Sequence, residues 1–259
     1  MRSLPALALS AVTVGAALVL ASSPAQAVAN GVPVEEGQYR FATKLTMTGI
    51  PNPDGTTRDS ACSGALVSPS WVLTAGHCFH DVDGDLVSGP VPYDTVATLG
   101  RVLAEGPGGV DVAVVEVAQS PVNDIALVRL ERPVRDRTGR GVQPARVARS
   151  APHAGEVLRL TGWGALDGVS SEPAAQLQTG LVEVGSVAET TIGVTGEEPS
   201  PSTSACLYDS GAPYFRETRR GPEIVSTEST GPDCPHDLEE TTARVDVAAD
   251  WIRATIRGQ

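Results

Sequence analysis

Lysine is almost missing from this chain: Lys44 stands alone beside eighteen arginines among the 19 Lys plus Arg. Charged residues of every kind make up only 19%, aromatic residues only 4%, and the net charge is -12. A duplex-binding surface shows as a basic patch, and with none of that size visible nucleic acid is excluded as a partner. The four cysteines are accompanied by no Cys-x-x-Cys and no His pair at ligand spacing, which argues against a structural zinc site. Beyond Ala21 no further run is apolar and long enough to span a bilayer.

Glycine (27) and proline (20) are plentiful, and hydrophobic residues reach 41%. That is enough for a packed core and too much for a disordered tail. Short strands joined by many turns fit this mixture better than a helical bundle.

The first segment reads as an address. Arg2 is the only charge before Glu35, Leu4–Ala21 is almost wholly apolar, and Ala25-Gln26-Ala27 closes it. This pattern predicts a secretory signal peptide over residues 1–27, cut after Ala27. A membrane anchor is the competing reading, and the Ala-x-Ala ending decides against it. Export places the chain in an oxidising compartment, so Cys62, Cys78, Cys206 and Cys234 are expected to form disulfides. Four cysteines allow three pairings, the local one being Cys62–Cys78 with Cys206–Cys234.

The mature chain falls into two groups of short apolar or alternating runs. The first, residues 28–130, includes Phe41–Met47, Trp71–Thr74 and Ile125–Leu130. The second, 144–245, includes Val157–Thr161, Leu177–Val184 and Glu223–Ser226. Residues 131–143 lack periodicity and read as a linker. Two such groups predict an all-β protein of barrels or sandwiches. Over 246–259 the apolar groups Val247, Trp251, Ile252 and Ile256 recur at helical spacing, predicting a terminal helix with Asp246 as its cap.

Three strings carry the chemistry: Thr74-Ala75-Gly76-His77-Cys78, Asp124-Ile125-Ala126-Leu127, and Cys206-Leu207-Tyr208-Asp209-Ser210-Gly211-Ala212-Pro213. Singly each has a bland explanation; in this order in a secreted all-β chain they do not. Together with Val28-Ala29-Asn30-Gly31, Gly162-Trp163-Gly164, Val225-Ser226 and Asp250-Trp251-Ile252, they resemble the trypsin/chymotrypsin-like serine peptidase family across Val28–Gln259. The resemblance implies two six-stranded antiparallel barrels with a C-terminal helix and a site in the cleft between them. The Arg excess over Lys fits a bacterial, GC-rich source.

The implied activity is serine endopeptidase chemistry on protein or peptide substrates by a monomer, with no cofactor, no metal and no membrane attachment after signal removal. An alcohol is a weak nucleophile at neutral pH, so Ser210 needs His77 as base, with Asp124 orienting the imidazole. The chain order His–Asp–Ser is that of the chymotrypsin type, and the Gly-x-Ser-x-Gly elbow of α/β-hydrolases is absent, because Tyr208 stands two before Ser210. By the same resemblance Ser226 hydrogen-bonds the triad carboxylate. The amine of Val28, freed by signal cleavage, pairs with Asp209 and switches the site on, a step in which the uncut chain leaves the oxyanion pocket loose.

The sequence departs from the family pattern at several places. Tyr208 replaces the glycine whose N–H, with that of Ser210, binds the oxyanion, and positive φ is unusual for Tyr. The specificity pocket is expected at Ser204, Ser226, Glu228 and Glu240, with Ser204 on its floor. There a wall carboxylate either pairs with a basic substrate side chain or points outward. Asp81, Asp83 and Asp85 do not match an EF-hand loop, and Arg101 stands where calcium-binding relatives begin their carboxylate loop. His80, His153 and His236 read as surface residues. Two other functions fit the same strings: a non-catalytic binding module with the oxyanion site closed by Tyr208, and a hydrolase of small esters.

Overall fold

A computed structural model describes residues 28–134, 141–169 and 172–258. The expected signal peptide and part of the expected linker, residues 135–140, lie outside these. In chain order the strands are β1 (Val32–Pro33), β2 (Ala42–Pro51), β3 (Thr57–Ser68), β4 (Trp71–Thr74), β5 (Gly89–Pro90), β6 (Asp94–Leu99), β7 (Val110–Gln119), β8 (Ala126–Leu130), β9 (Arg146–Val147), β10 (Val157–Gly162), β11 (Gln178–Val187), β12 (Thr191–Glu198), β13 (Pro213–Thr218), β14 (Gly221–Thr230) and β15 (Glu240–Arg244), followed by helix α1 (Ala249–Arg257).

Two closed antiparallel barrels result. Strands β7-β6-β2-β3-β4-β8 run in order and β7 pairs with β8 to close the first; β11-β10-β13-β14-β15-β12 do the same, closed by β11 on β12. Full closure leaves the six-strand rings without free edges. Alternation drives the pairing. In β2 the side chains of Leu45 and Met47 are buried and those of Thr46 and Thr48 face out. In β8 Arg129 is the one residue turned away from the core, and it meets its cross-strand partner Glu116 at 2.7 Å.

The chain ends cross over between barrels. Val28 is fully buried in the second-barrel core with Leu160, Val182 and Tyr214, and β1 pairs with β11. The first described residues therefore belong structurally to the second barrel. In return Ala248 and Ile252 join the first-barrel core, with Trp251 and Ile256 against it. Between the barrels Phe41 and Phe215 meet edge-to-face at 5.2 Å, as do Tyr39 and Phe215. Each such pair is worth about 0.5–1.5 kcal/mol beyond its buried area.

Asp246 does not cap the helix: its carboxylate is held by the Arg244 guanidinium at 2.7 and 3.0 Å, and a short 3-10 turn, Asp246–Ala248, leads into α1. The disulfides are Cys62–Cys78 and Cys206–Cys234, 16 and 28 residues apart. In the chain-entropy view each contributes roughly 3–4 kcal/mol by restricting the unfolded chain. Both brace loops that reach the cleft. No helix among the described residues is long and apolar enough to cross a membrane.

Candidate active site

His77 and Asp124 come from adjacent strand ends of the first barrel. Thr74 ends β4 and Ala126 begins β8, and these two residues are register partners. A 3-10 turn over Gly76–Cys78 then swings His77 towards the second barrel. Asp124 grips that turn twice: Oδ1 accepts the His77 backbone N–H at 2.8 Å and Oδ2 accepts Nδ1–H at 2.8 Å. With Nδ1 carrying the hydrogen, Nε2 presents its lone pair, and the Ser210 hydroxyl donates to it at 2.8 Å. Burial alone would raise the Asp124 carboxyl, but hydrogen bonds from His77 and Ser229, with the His77 charge, hold it below its ordinary value.

Sequence reasoning assigned the further hydroxyl on this carboxylate to Ser226. It belongs to Ser229, whose Oγ donates to Asp124 Oδ2 at 2.6 Å. Ser226 is fully buried elsewhere in β14, accepting the Thr242 hydroxyl at 2.8 Å.

The Ser210 loop is clamped by groups from both barrels. Ser63 N–H donates to the Ser210 carbonyl at 2.9 Å, while Ser63 Oγ donates to the Tyr208 carbonyl at 3.3 Å and accepts Trp163 N–H at 3.0 Å. Nothing in the sequence marked Ser63 for this role. Gly211 has φ +80°, and a Cβ there would lie 2.2 Å from Thr74 Oγ1 and 2.5 Å from the Ser63 carbonyl, so only glycine fits. Tyr208 adopts φ +74°. The backbone conformation in which glycine is at home is thus retained by a tyrosine, at roughly 1–2 kcal/mol of local cost.

Asp209, next to Ser210, is buried without exposure, its Oδ1 accepting Gly164 N–H at 2.8 Å and its Oδ2 accepting Cys206 N–H at 3.1 Å. A Cβ on Gly164 would fall 2.2 Å from Oδ2, so glycine is what lets the 162–164 turn wrap this carboxylate. Burial pushes Asp209 up to about 7, against the lowering effect of its backbone donors. Val28 is lodged in the neighbouring core, and Ala29 forms an isolated bridge with Ser204.

A cavity of about 270 Å³ opens beside Ser210, lined by Ala205, Tyr208, Glu228, Ser229, Gly231 and Glu240 among others. Both acids face inward, correcting the outward alternative for Glu240. Ser204 is not in this lining, its hydroxyl buried without a hydrogen-bond partner among the described residues, and Ser226 is not in it either. The Tyr214 hydroxyl stands 2.6 Å from Glu228 Oε2 and 2.6 Å from Glu240 Oε2. A phenol has one hydrogen, so it donates to one carboxyl only, and the other must hold a proton and donate back. Burial first, then the Glu240 charge, raises Glu228 well above its ordinary value. Glu240 Oε1 accepts Ala205 N–H at 2.6 Å.

His236 is not a surface residue. Its side chain is 7% exposed, and Nε2 lies 3.3 Å from Glu240 Oε1, while Nδ1–H donates to the Leu238 carbonyl at 3.1 Å. The Glu240 carboxyl group beside Nε2 raises the imidazole above its ordinary value. His153 is exposed, and His80 lines a second cavity described below.

The acidic loop closes on itself: Asp81 Oδ1 accepts the N–H groups of Asp83 and Asp85, each at 3.0 Å. Arg101 fills the other loop, donating to Asp111 at 2.9 and 3.0 Å and to the Ala104 and Gly108 carbonyls. Among the described residues no three His, Cys, Asp or Glu side chains cluster as metal ligands.

Two antiparallel barrels with His, Asp and Ser converging in the cleft define the class of chymotrypsin-fold proteins. Residues 28–252 match the family model Trypsin, and the chain belongs to that family. It is 29% identical over 255 residues to mouse Serine protease 56, covering 87% of this chain and 38% of that protein. Glucanase inhibitor protein 1 of Phytophthora sojae is 28% identical over 277 residues, covering 99% of this chain and all of that protein. Trypsin iota of Drosophila melanogaster is 27% identical over 209 residues, 74% and 77% of the two chains. The names of these relatives span proteases and an inhibitor, so membership fixes the family and leaves the activity to be argued from the site.

Proposed function

We propose that the protein is a secreted serine endopeptidase that cuts after basic side chains. The observation that carries this reading is the unbroken chain from Asp124 through His77 to the Ser210 hydroxyl, both links 2.8 Å long. In acylation Ser210 Oγ bonds to the scissile carbonyl carbon and its proton passes to His77 Nε2. The C–N bond then breaks, and the leaving amine takes that proton. Water repeats the cycle in reverse on the ester, with His77 again as base. Tyr208 and Ser210 N–H groups serve the oxyanion, a role supported by the positive φ at Tyr208.

The preference for a cation is supported by the inward-facing Glu228 and Glu240. Activation follows from signal removal: the freed Val28 amine pairs with Asp209, whose burial makes an unpaired charge costly. The deciding experiment is labelling with a fluorophosphonate. Secreted protein with Val28 verified as its first residue is expected to label at Ser210, and Ser210→Ala is expected not to.

A second reading, a protease-fold binding protein, is favoured by the end-to-end match to a glucanase inhibitor protein together with Tyr208 at the oxyanion position. It predicts no labelling and no ester turnover in the same verified protein.

A further inference from the structure

The segment carrying Leu207, Tyr208 and Ser210 is shared by two cavities. One is the acid-lined pocket; the other, about 300 Å³, adds His77, Ile50, Met47, Arg58, His80 and Tyr93. The two have opposite charge. We propose that this second cavity is a subsite for an aspartate or glutamate side chain within the first three residues after the scissile bond, read by Arg58. The proposal rests on the peptidase reading and deepens it: the preferred segment is a basic residue followed closely by an acidic one.

Several observations converge on Arg58. It sits on β3 opposite Ile50, and Ile50 also lines the cavity. Among the described residues no carboxylate pairs with its guanidinium, although acids outnumber bases 31 to 19 in the chain. The adjacent Asp59 is committed elsewhere, accepting Gly49 N–H at 3.0 Å. The polar partner of the guanidinium is instead His80 Nε2, at 3.4 Å from Nη2.

His80 is built to receive that contact. Its Nδ1–H donates to the Asp81 carbonyl at 2.7 Å, which leaves Nε2 as the lone-pair nitrogen. The ring stands edge-on to Tyr93 at 6.4 Å, and the Tyr93 hydroxyl donates to the Cys78 carbonyl. Arg58 is therefore referenced, through His80 and Tyr93, to the turn that carries His77. His80 is a positioning residue, and Arg58 is the group that meets the ligand. A planar guanidinium with one edge bonded to imidazole keeps further N–H donors for a carboxylate.

The test uses the chain starting at Val28 with Ser210→Ala, so that nothing is cut. Dissociation constants are measured for peptides with Arg before the bond and Asp, Asn or Lys at one of the three positions after it. At one position the Asp peptide is expected to bind about tenfold tighter than the Asn peptide, with Lys weaker still. Adding Arg58→Gln is expected to abolish the Asp–Asn difference, whereas Arg58→Lys keeps part of it. His80→Phe is expected to shrink the difference, and His80→Gln, which restores an acceptor, to recover it. Equal affinity for Asp and Asn peptides at all three positions, discrimination that survives Arg58→Gln, or no binding by any peptide overturns the proposal. The peptidase reading fails separately, on fluorophosphonate labelling and on turnover of substrates whose leaving group replaces the downstream residues.

Discussion

Ser229 donates its hydroxyl to Asp124 Oδ2 at 2.6 Å, onto the same oxygen that receives His77 Nδ1–H. Two donors on one oxygen stabilise the carboxylate over the acid and fix its rotation, so the imidazole is held by a group that is itself held. Ser229→Ala is expected to lower kcat about tenfold with little change in KM, since a hydrogen bond to a charged group is worth about 1.5–3 kcal/mol. It is also expected to raise the Asp124 carboxyl towards its ordinary value, because that group loses part of what depresses it. Ser226→Ala, which removes the acceptor of the Thr242 hydroxyl, is expected to leave kcat unchanged. Steady-state kinetics of the two variants across pH check both statements.

Tyr208 already occupies the left-handed region, so glycine is not required to bring the backbone there. Tyr208→Gly is expected to change kcat far less than the ~10²–10³-fold that a missing oxyanion donor costs. Stability is expected to shift by no more than about 1 kcal/mol, relief of strain being offset by the greater freedom of glycine when unfolded. Rate and thermal melting of this one variant test the assignment.

The charge of the acid pocket sets its pH behaviour. A proton on Glu228 and a proton on His236 both oppose a bound cation, and both leave as pH rises. The ratio of kcat/KM for an Arg substrate to that for its Ala counterpart is expected to increase with pH, the dependence common to both substrates cancelling in the ratio. Glu240→Gln is expected to collapse the ratio. The same raised Glu228 affects folding: its favourable contribution is complete below the unfolded-state value and is lost as pH climbs through the folded one. Glu228→Gln is accordingly expected to gain stability relative to the parent in alkaline buffer, read by denaturant midpoints.

The activation proposed for Val28 makes Asp209 the group by which an uncut and a processed chain differ. With Val28 still in a peptide bond the carboxyl is pushed up to about 7. Its unfolded value is lower, so the uncut chain is expected to gain stability as pH falls from about 7 towards 4. A free Val28 amine reverses the sign, because a paired carboxylate is depressed and its stabilisation is lost in acid. Asp209→Asn is expected to flatten the first trend and to cost the processed chain about 3–5 kcal/mol. Melting curves of the two forms at several pH values give the comparison.

His77, Asp124 and Ser210 were legible in the linear chain because each sits in a short string whose neighbours do local work. Gly76 and Cys78 shape the turn at His77, the apolar run after Asp124 is a buried strand, and Gly211 lets the Ser210 loop pass beneath Thr74. The alternation and turn signals likewise specified two strand groups, and the spacing of Trp251, Ile252 and Ile256 specified the last helix. What the sequence left undecided are choices between equivalent-looking residues. Ser226-Thr227 and Ser229-Thr230 are the same dipeptide three residues apart on β14. Only barrel closure, with the register shift between Glu228 and Thr230 against β15, determines which serine faces Asp124. Ser63 met Ser210 and Arg58 met His80 only after the chain had folded, since contacts between distant segments depend on which way each side chain emerges, and a shift of one residue along a strand reverses that.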